Sequence, residues 1–320
     1  MESCLLLTLH HIIGDHWSMR LLRRELIAIY ESILAGHPSD LPHLRIQFGD
    51  FAAWERKVID GGSMAHQLAY WKEQLSQPSP KLQFQKAHRT RTRLGDRRIT
   101  QEIEITGALF AAVKSLANRE NCSVSMVTLT SLAMLLYSYT HQADIRIGTL
   151  TANRRCSETE SVFGHFVNTV VIRTLISPGM TCAQLLKQVR ASTIEAYAHQ
   201  ELPFEKLAQV LEKEESIDRA SLFQVLCNYQ KVQPESPSPS GITIAPFQVA
   251  RVVGALEVPI TLLEMIFDVK EMSTSLTVSV NRRSSVLNKS QSLRIKEHLT
   301  KLLQALVVQT TTVESVCVES

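Results

Sequence analysis

No Cys-x-x-Cys pair, no Gly-x-Ser-x-Gly elbow and no uninterrupted apolar run of membrane-spanning length occurs in these 320 residues. Each absence removes a class of function. The six cysteines (Cys4, Cys122, Cys156, Cys182, Cys227 and Cys317) are scattered, which reads as reduced thiols in a cytosolic protein rather than a disulfide framework. Without a nucleophile elbow, and with no cysteine in a comparable turn, the chain offers no obvious nucleophile of its own. The lack of a span or a signal segment predicts a cytoplasmic protein that does not engage a membrane. Charge of one sign is also scarce: 34 Lys and Arg against 31 Asp and Glu leave a formal net charge of +3, no general case for nucleic acid. What is present, 44% hydrophobic and 20% charged residues, is the balance of a globular protein with a substantial core. The length allows two ordinary domains or one large one.

Ionisable groups crowd one place, near the start. Leu5 to Leu9 is apolar or β-branched throughout and predicts a buried strand. It runs into His10-His11-Ile12-Ile13-Gly14-Asp15-His16-Trp17-Ser18, after which the pattern turns helical. Adjacent histidines on a strand point to opposite faces, so only one of them serves a given pocket. Because a core strand begins within four residues of Met1, the chain is expected to be a fragment that starts inside a larger domain.

The remainder reads as α/β. Helices are predicted over 19–35, 48–59 and 64–75, with Phe48, Phe51, Trp54, Tyr70 and Trp71 as core aromatics. A basic run from Lys86 to Arg98 carries no interleaved aromatic and is expected to be a solvated linker between lobes. Beyond it come a strand over 99–105, a helix over 107–118 and a long apolar, hence buried, helix capped by Ser123. Strands at 144–151 and leading to Arg173, helices over 181–197 and 203–211, and a strand over 222–229 follow. A Pro- and Ser-rich loop over 233–241 precedes strand-like runs at 242–253, 258–269 and 275–280, and a helix from about Gln291 to Val308. The expected division is 1–85, 86–310 and a tail over 311–320.

Three chemistries compete for the opening stretch. His10, His11, Asp15 and His16 are all plausible metal ligands, with His165 or His199 completing a site. The metallo-hydrolase pattern His-x-His-x-Asp-His is close, but its second histidine falls on Ile13. Alternatively a neutral imidazole accepts a proton from an attacking nucleophile, while an aspartate four residues on fixes the turn. That arrangement suits direct acyl transfer between two bound substrates. In the third reading the turn is structural, with Asp15 or Ser18 capping the helix and the histidines satisfied in a core.

Several ordered blocks carry a resemblance. His10-His11-Ile12-Ile13-Gly14-Asp15 resembles the His-His-x-x-x-Asp-Gly motif of nonribosomal peptide synthetase condensation domains. Gln47-Phe48-Gly49-Asp50-Phe51-Ala52-Ala53-Trp54, Tyr70-Trp71, Gly164-His165-Phe166-Val167-Asn168-Thr169 with Arg173, His199-Gln200-Glu201-Leu202-Pro203-Phe204-Glu205 and Leu222-Phe223-Gln224-Val225 resemble later blocks of that family, in its order. The resemblance implies an α/β fold with two chloramphenicol-acetyltransferase-like lobes around a tunnel, the first lobe incomplete here. It implies a catalytic His11, His10 beside it, and Asp15 paired with an arginine, for which Arg173 is the candidate. His16, Ser18, Asn168 and Arg173 are the implied substrate-side residues. The implied reaction moves an upstream acyl or peptidyl group from a carrier-protein thioester to the amine of a downstream carrier-bound amino acid. The partners would be upstream and downstream peptidyl carrier domains, which supply phosphopantetheine arms, and an adjacent adenylation domain; no metal and no bound cofactor is implied. The alternatives are a degenerate carrier-binding scaffold and a metal-dependent hydrolase.

The chain departs from the family pattern at three points. His16 stands where the family has glycine, Ser221 where a proline often precedes Leu-Phe-Gln-Val, and Val258-Pro259-Ile260-Thr261-Leu262 where it has Phe-Asp-Leu-Thr-Leu.

Overall fold

Helical spacing of apolar residues in the first part of the chain produces α1 (His16–Ala35), α2 (Phe48–Asp60) and α3 (Ala65–Leu75) in the computed structural model. The structure describes residues 5, 7–77, 81–84, 98–232, 263–287 and 289–317. Local signals set the ends of α1. The Asp15 side chain accepts a hydrogen bond from the Ser18 amide at its start, and Gly36 closes it in the left-handed region at φ 74°. At the start of α2 the Gln47 amide donates to Asp50.

After these come β1 (Arg98–Thr106), α4 (Gly107–Arg119), α5 (Val124–Thr140), β2 (Asp144–Thr151), α6 (Ser157–Glu160) and β3 (Asn168–Leu175). The chain continues through α7 (Cys182–Ala198), α8 (Phe204–Glu215), β4 (Val225–Lys231), β5 (Met265–Glu271), β6 (Ser275–Arg283), α9 (Lys289–Val308) and α10 (Val313–Val316). The six strands form one mixed sheet in the order β1-β6-β5-β4-β2-β3. β6 runs antiparallel to both β1 and β5, whereas β4 is parallel to β5 and to β2. Register is specified by period-two burial: Leu276, Val278 and Val280 of β6 point inward between half-exposed neighbours. α5, buried along nearly its whole circumference, packs on α4, α7 and α9. Its Ser123 cap, expected from sequence, accepts from the Met126 amide.

The described residues fall into two compact units. One comprises those within Met1–His66 and Thr151–Asn168; the other comprises those within Gln67–Leu150, Thr169–Pro234 and Pro259–Ser320. The first unit thus includes a segment from the middle of the chain.

Several local expectations need correction. Residues 5 and 7–10 form no strand, and Leu5, Leu7 and Leu9 are 66%, 47% and 40% exposed rather than buried. A strand requires a neighbour to take its backbone hydrogen bonds, and among the described residues none pairs with this segment. His11–Ile13 winds instead into one turn of 3-10 helix. On α1 only Leu21 of the predicted apolar face is buried; Tyr30 and Ile33 lie exposed. Trp71 is a core residue, its indole N–H donating to the His199 carbonyl, but Trp54 is exposed. The strand expected over 222–229 begins only at Val225, and that expected over 258–269 is β5, from Met265. The residues of the basic run up to Arg97, the Pro- and Ser-rich loop, the 242–253 run and Val258–Leu262 lie outside the described residues.

Candidate functional site: a histidine turn on a buried aspartate–arginine hub

Within the first unit, the His10–Ser18 turn stands on the segment from Arg154 to Phe166. Asp15 is 4% exposed, and each of its oxygens has partners. Oδ1 accepts from the Ser18 amide at 2.8 Å, lies 2.9 Å from the Ser18 hydroxyl and meets Arg154 Nη2 at 3.3 Å. Oδ2 accepts from the Phe166 amide at 3.0 Å. One carboxylate therefore starts α1 and ties it to a segment 151 residues further on.

Arg154 extends the hub. Its side chain is 1% exposed, and Nη1 donates to the Thr159 and Val162 carbonyls. Nη2 approaches the Gly164 carbonyl as well as Asp15 and Ser18. The guanidinium stacks 4.0 Å above the Phe166 ring, which packs against Phe48 and Phe51. A charge this deeply buried is tolerated only when paired and hydrogen-bonded, as here. Burial alone would raise the Asp15 carboxyl, but the Ser18 and Phe166 hydrogen bonds and the Arg154 charge outweigh it and hold it below its ordinary value. Burial pulls Arg154 downward while Asp15 opposes that shift.

Two glycines admit this packing. A Cβ on Gly164 would lie 2.1 Å from the Phe48 ring, and one on Gly14 would lie 2.8 Å from Phe163. The Ser18 hydroxyl, fully buried, accepts from the Gly164 amide at 3.0 Å and lies 2.7 Å from the Gly164 carbonyl. Trp17 adds a bond from its indole N–H to the Glu160 carbonyl.

On this base His11 is presented to solvent. It opens the 3-10 turn, is exposed, and its Nδ1 lies 3.2 Å from Nδ1 of His165, with the rings edge to face. Its Nε2 carries no such contact within the pair. The arrangement can present one imidazole nitrogen to a reacting group while the other is held. Among the described residues no three His, Cys, Asp or Glu side chains come together as a metal-binding group.

The expected residues distribute unevenly around this turn. His11, Asp15 and Ser18 come together. His10 accepts a hydrogen bond from the Ile12 amide at 3.1 Å and caps the 3-10 turn. Ser18, expected on the substrate side, is instead part of the hub, because its hydroxyl is consumed by Asp15, Gly164 and Arg154. His16 is exposed at the first residue of α1, and Asn168 is buried at the start of β3.

Arg173 is not the partner of Asp15. It lies in the other unit and pairs with Asp144 through Nε at 3.0 Å and Nη2 at 2.9 Å, while Nη1 donates to the Gln74 carbonyl. Arg154 holds Asp15 instead. The sequence signal for Arg154 was slight: a polar Asn153-Arg154-Arg155 run at the end of a buried strand. Nothing in it points 139 residues back to Asp15.

The condensation domain model matches residues 1–316. One of the linear gramicidin synthase proteins of Brevibacillus parabrevis is 35% identical over 309 residues, covering 96% of this chain and 6% of the synthase protein. Malpinin synthetase of Mortierella alpina is 36% identical over 249 residues, covering 77% of this chain and 3% of that protein. The chain thus spans a small fraction of these relatives. Among solved structures, the X-domain in complex with OxyB from teicoplanin biosynthesis superposes with a TM-score of 0.74 at 21% identity, over 96% of this chain and 68% of that one. The first condensation domain of the calcium-dependent antibiotic synthetase, bound to a substrate analogue, gives 0.71 at 14% identity, over 95% and 67%. The α/β fold expected from sequence is that of these domains. This chain, matched along nearly its whole length, belongs to the condensation domain family.

Proposed function

We propose that this chain carries the amide-forming centre of a peptide synthetase module. The donor is an acyl or peptidyl group held as a thioester on an upstream carrier domain. The acceptor is the amine of an amino acid on a downstream carrier domain, and both phosphopantetheine arms belong to the carriers. An adenylation domain would load the acceptor, in the cytoplasm.

The observation that supports this reading is the exposed His11 on a turn whose foundation is buried and charged. In the reaction the acceptor nitrogen attacks the thioester carbonyl carbon. The new C–N bond forms, the C–S bond breaks, and the proton lost by the amine ends on the departing thiolate. In this reading His11 Nε2 receives that proton and passes it on, so the imidazole is unchanged at the end. Asp15 acts through the turn, keeping His11 where it is, and no protein nucleophile is required.

The test is amide formation between two loaded carrier domains. Product formation that is lost in His11→Ala and indifferent to a chelator supports the proposal. Carrier binding without turnover would replace it with the scaffold reading, and loss on chelation with the metal-dependent hydrolase.

His16 supplies a further prediction. Its imidazole stands at the first residue of α1, close in sequence to His11, where the family motif has glycine. Removing that bulk in His16→Gly is expected to raise kcat/KM for amide formation about threefold, a gain of well under 1 kcal/mol in barrier. An unchanged or lower rate would show that the ring does not obstruct the acceptor.

A further inference from the structure

His165 occupies the position that the Gly-x-Phe-Val-Asn-Thr block leaves open, and the block gives it no role. Its partner is the residue that the proposed reaction depends on. The two Nδ1 atoms stand 3.2 Å apart, with the ring centroids separated by 5.1 Å and the planes 74° apart. Two ring nitrogens at this distance form a hydrogen bond only when a single proton lies between them. The bond therefore couples the tautomers of the two rings: whichever Nδ1 bears the hydrogen donates, and the other accepts.

His165 is itself well anchored. Gly164 before it is buried, its carbonyl in contact with Arg154 and Ser18 and its amide donating to the Ser18 hydroxyl. Phe166 after it donates its amide to Asp15 and lies beneath the Arg154 guanidinium. Both neighbours are thus held by the same hub that holds the turn carrying His11. The separation between the two imidazoles is inherited from buried contacts, although His11 is exposed and His165 half-buried.

We propose that His165 is a positioning residue for His11. His11 donates from Nδ1 to the lone pair on His165 Nδ1, which leaves the lone pair of His11 Nε2 as the one offered to the acceptor amine. The inference rests on the amide-forming reading for its purpose, but not for its measurement. The preferred tautomer of a free histidine side chain bears its hydrogen on Nε2, the wrong nitrogen for a base acting there. His165 reverses that preference.

Nitrogen-15 spectra of the ring nitrogens in the full chain test this without turnover. The wild-type protein is expected to show His11 protonated at Nδ1, and His165→Leu to show it protonated at Nε2. Turnover gives the second readout. His165→Leu is expected to lower kcat for amide formation about tenfold with KM unchanged, the effect of one lost hydrogen bond in the transition state. His165→Asn, whose side-chain oxygen accepts near the place of Nδ1, should recover most of that loss. The same His11 tautomer in wild type and His165→Leu would overturn the proposal, as would equal damage from the leucine and asparagine variants. If the wild-type chain forms no amide, the amide-forming function fails while the tautomer comparison still decides the role of His165.

Discussion

Arg154→Met is expected to destabilise the fold by about 3–5 kcal/mol, a large part of the 5–15 kcal/mol typical of a native protein. The size follows from what the substitution leaves behind. Asp15 stays 4% exposed with its charge, while the guanidinium that met it, capped the Thr159, Val162 and Gly164 carbonyls and covered Phe166 is gone. Methionine restores much of the volume and none of the donors. Denaturant unfolding of the variant beside wild type measures the loss, and a change below about 1 kcal/mol would show that the hub contributes little. The double variant with Asp15→Asn should lose less than the sum of the single losses, because each single change strands the other charge.

The same pair has a pH signature. The Asp15 carboxyl is held below its ordinary value of 3.8, so the stability it contributes is complete above that value. It is lost only as pH falls through the lower, folded-state value. Removing Arg154 takes away one of the influences that depress the carboxyl. The acid fall of Arg154→Met should therefore begin at higher pH than that of wild type.

His11→Ala is expected to lower amide formation by roughly 10²–10⁴-fold, the usual span for a lost general base, while leaving stability within about 0.5 kcal/mol. The two halves of this expectation have separate causes. His11 is exposed, and its ring contact is with the half-buried His165, so little packing is forfeited. In the proposed reaction the rate depends on an imidazole nitrogen at the reacting amine, for which alanine has no substitute. A variant that unfolds more readily, or one that keeps its rate, would each point to a different role for the residue. His10→Ala makes the contrast: it removes the cap on the Ile12 amide and should affect the rate less than His11→Ala.

How far these features could be read from sequence depended on how local their causes were. Helices were legible because apolar spacing, an Asp15 cap and a Gly36 stop act within a few residues. β6 was legible because its alternation is written along one strand. The Leu5–Leu9 segment misled because apolar and β-branched composition describes a strand only where a neighbour pairs with it, and none does so among the described residues. The partner of Asp15 was misassigned for a similar reason. Many arginines lie downstream of the motif, and only the folded chain shows that Asp144 engages Arg173 while Arg154 meets the turn. In sequence His165 came toward the turn only as one of two candidates to complete a metal site, and nothing local to either histidine sets their rings edge to face across 154 residues.

The dependence of the histidine turn on Arg154–Phe166 has a consequence for recombination between synthetases. A crossover placed anywhere between Ser18 and Arg154 would take the turn from one parent and its support from the other. Such a chimera would inherit an intact motif on an untested foundation. Breakpoints that keep His10–Ser18 and Arg154–Phe166 from a single parent preserve every hydrogen bond of the hub. The exchangeable block for this centre is therefore a pair of distant segments, not the contiguous motif by which the family is recognised.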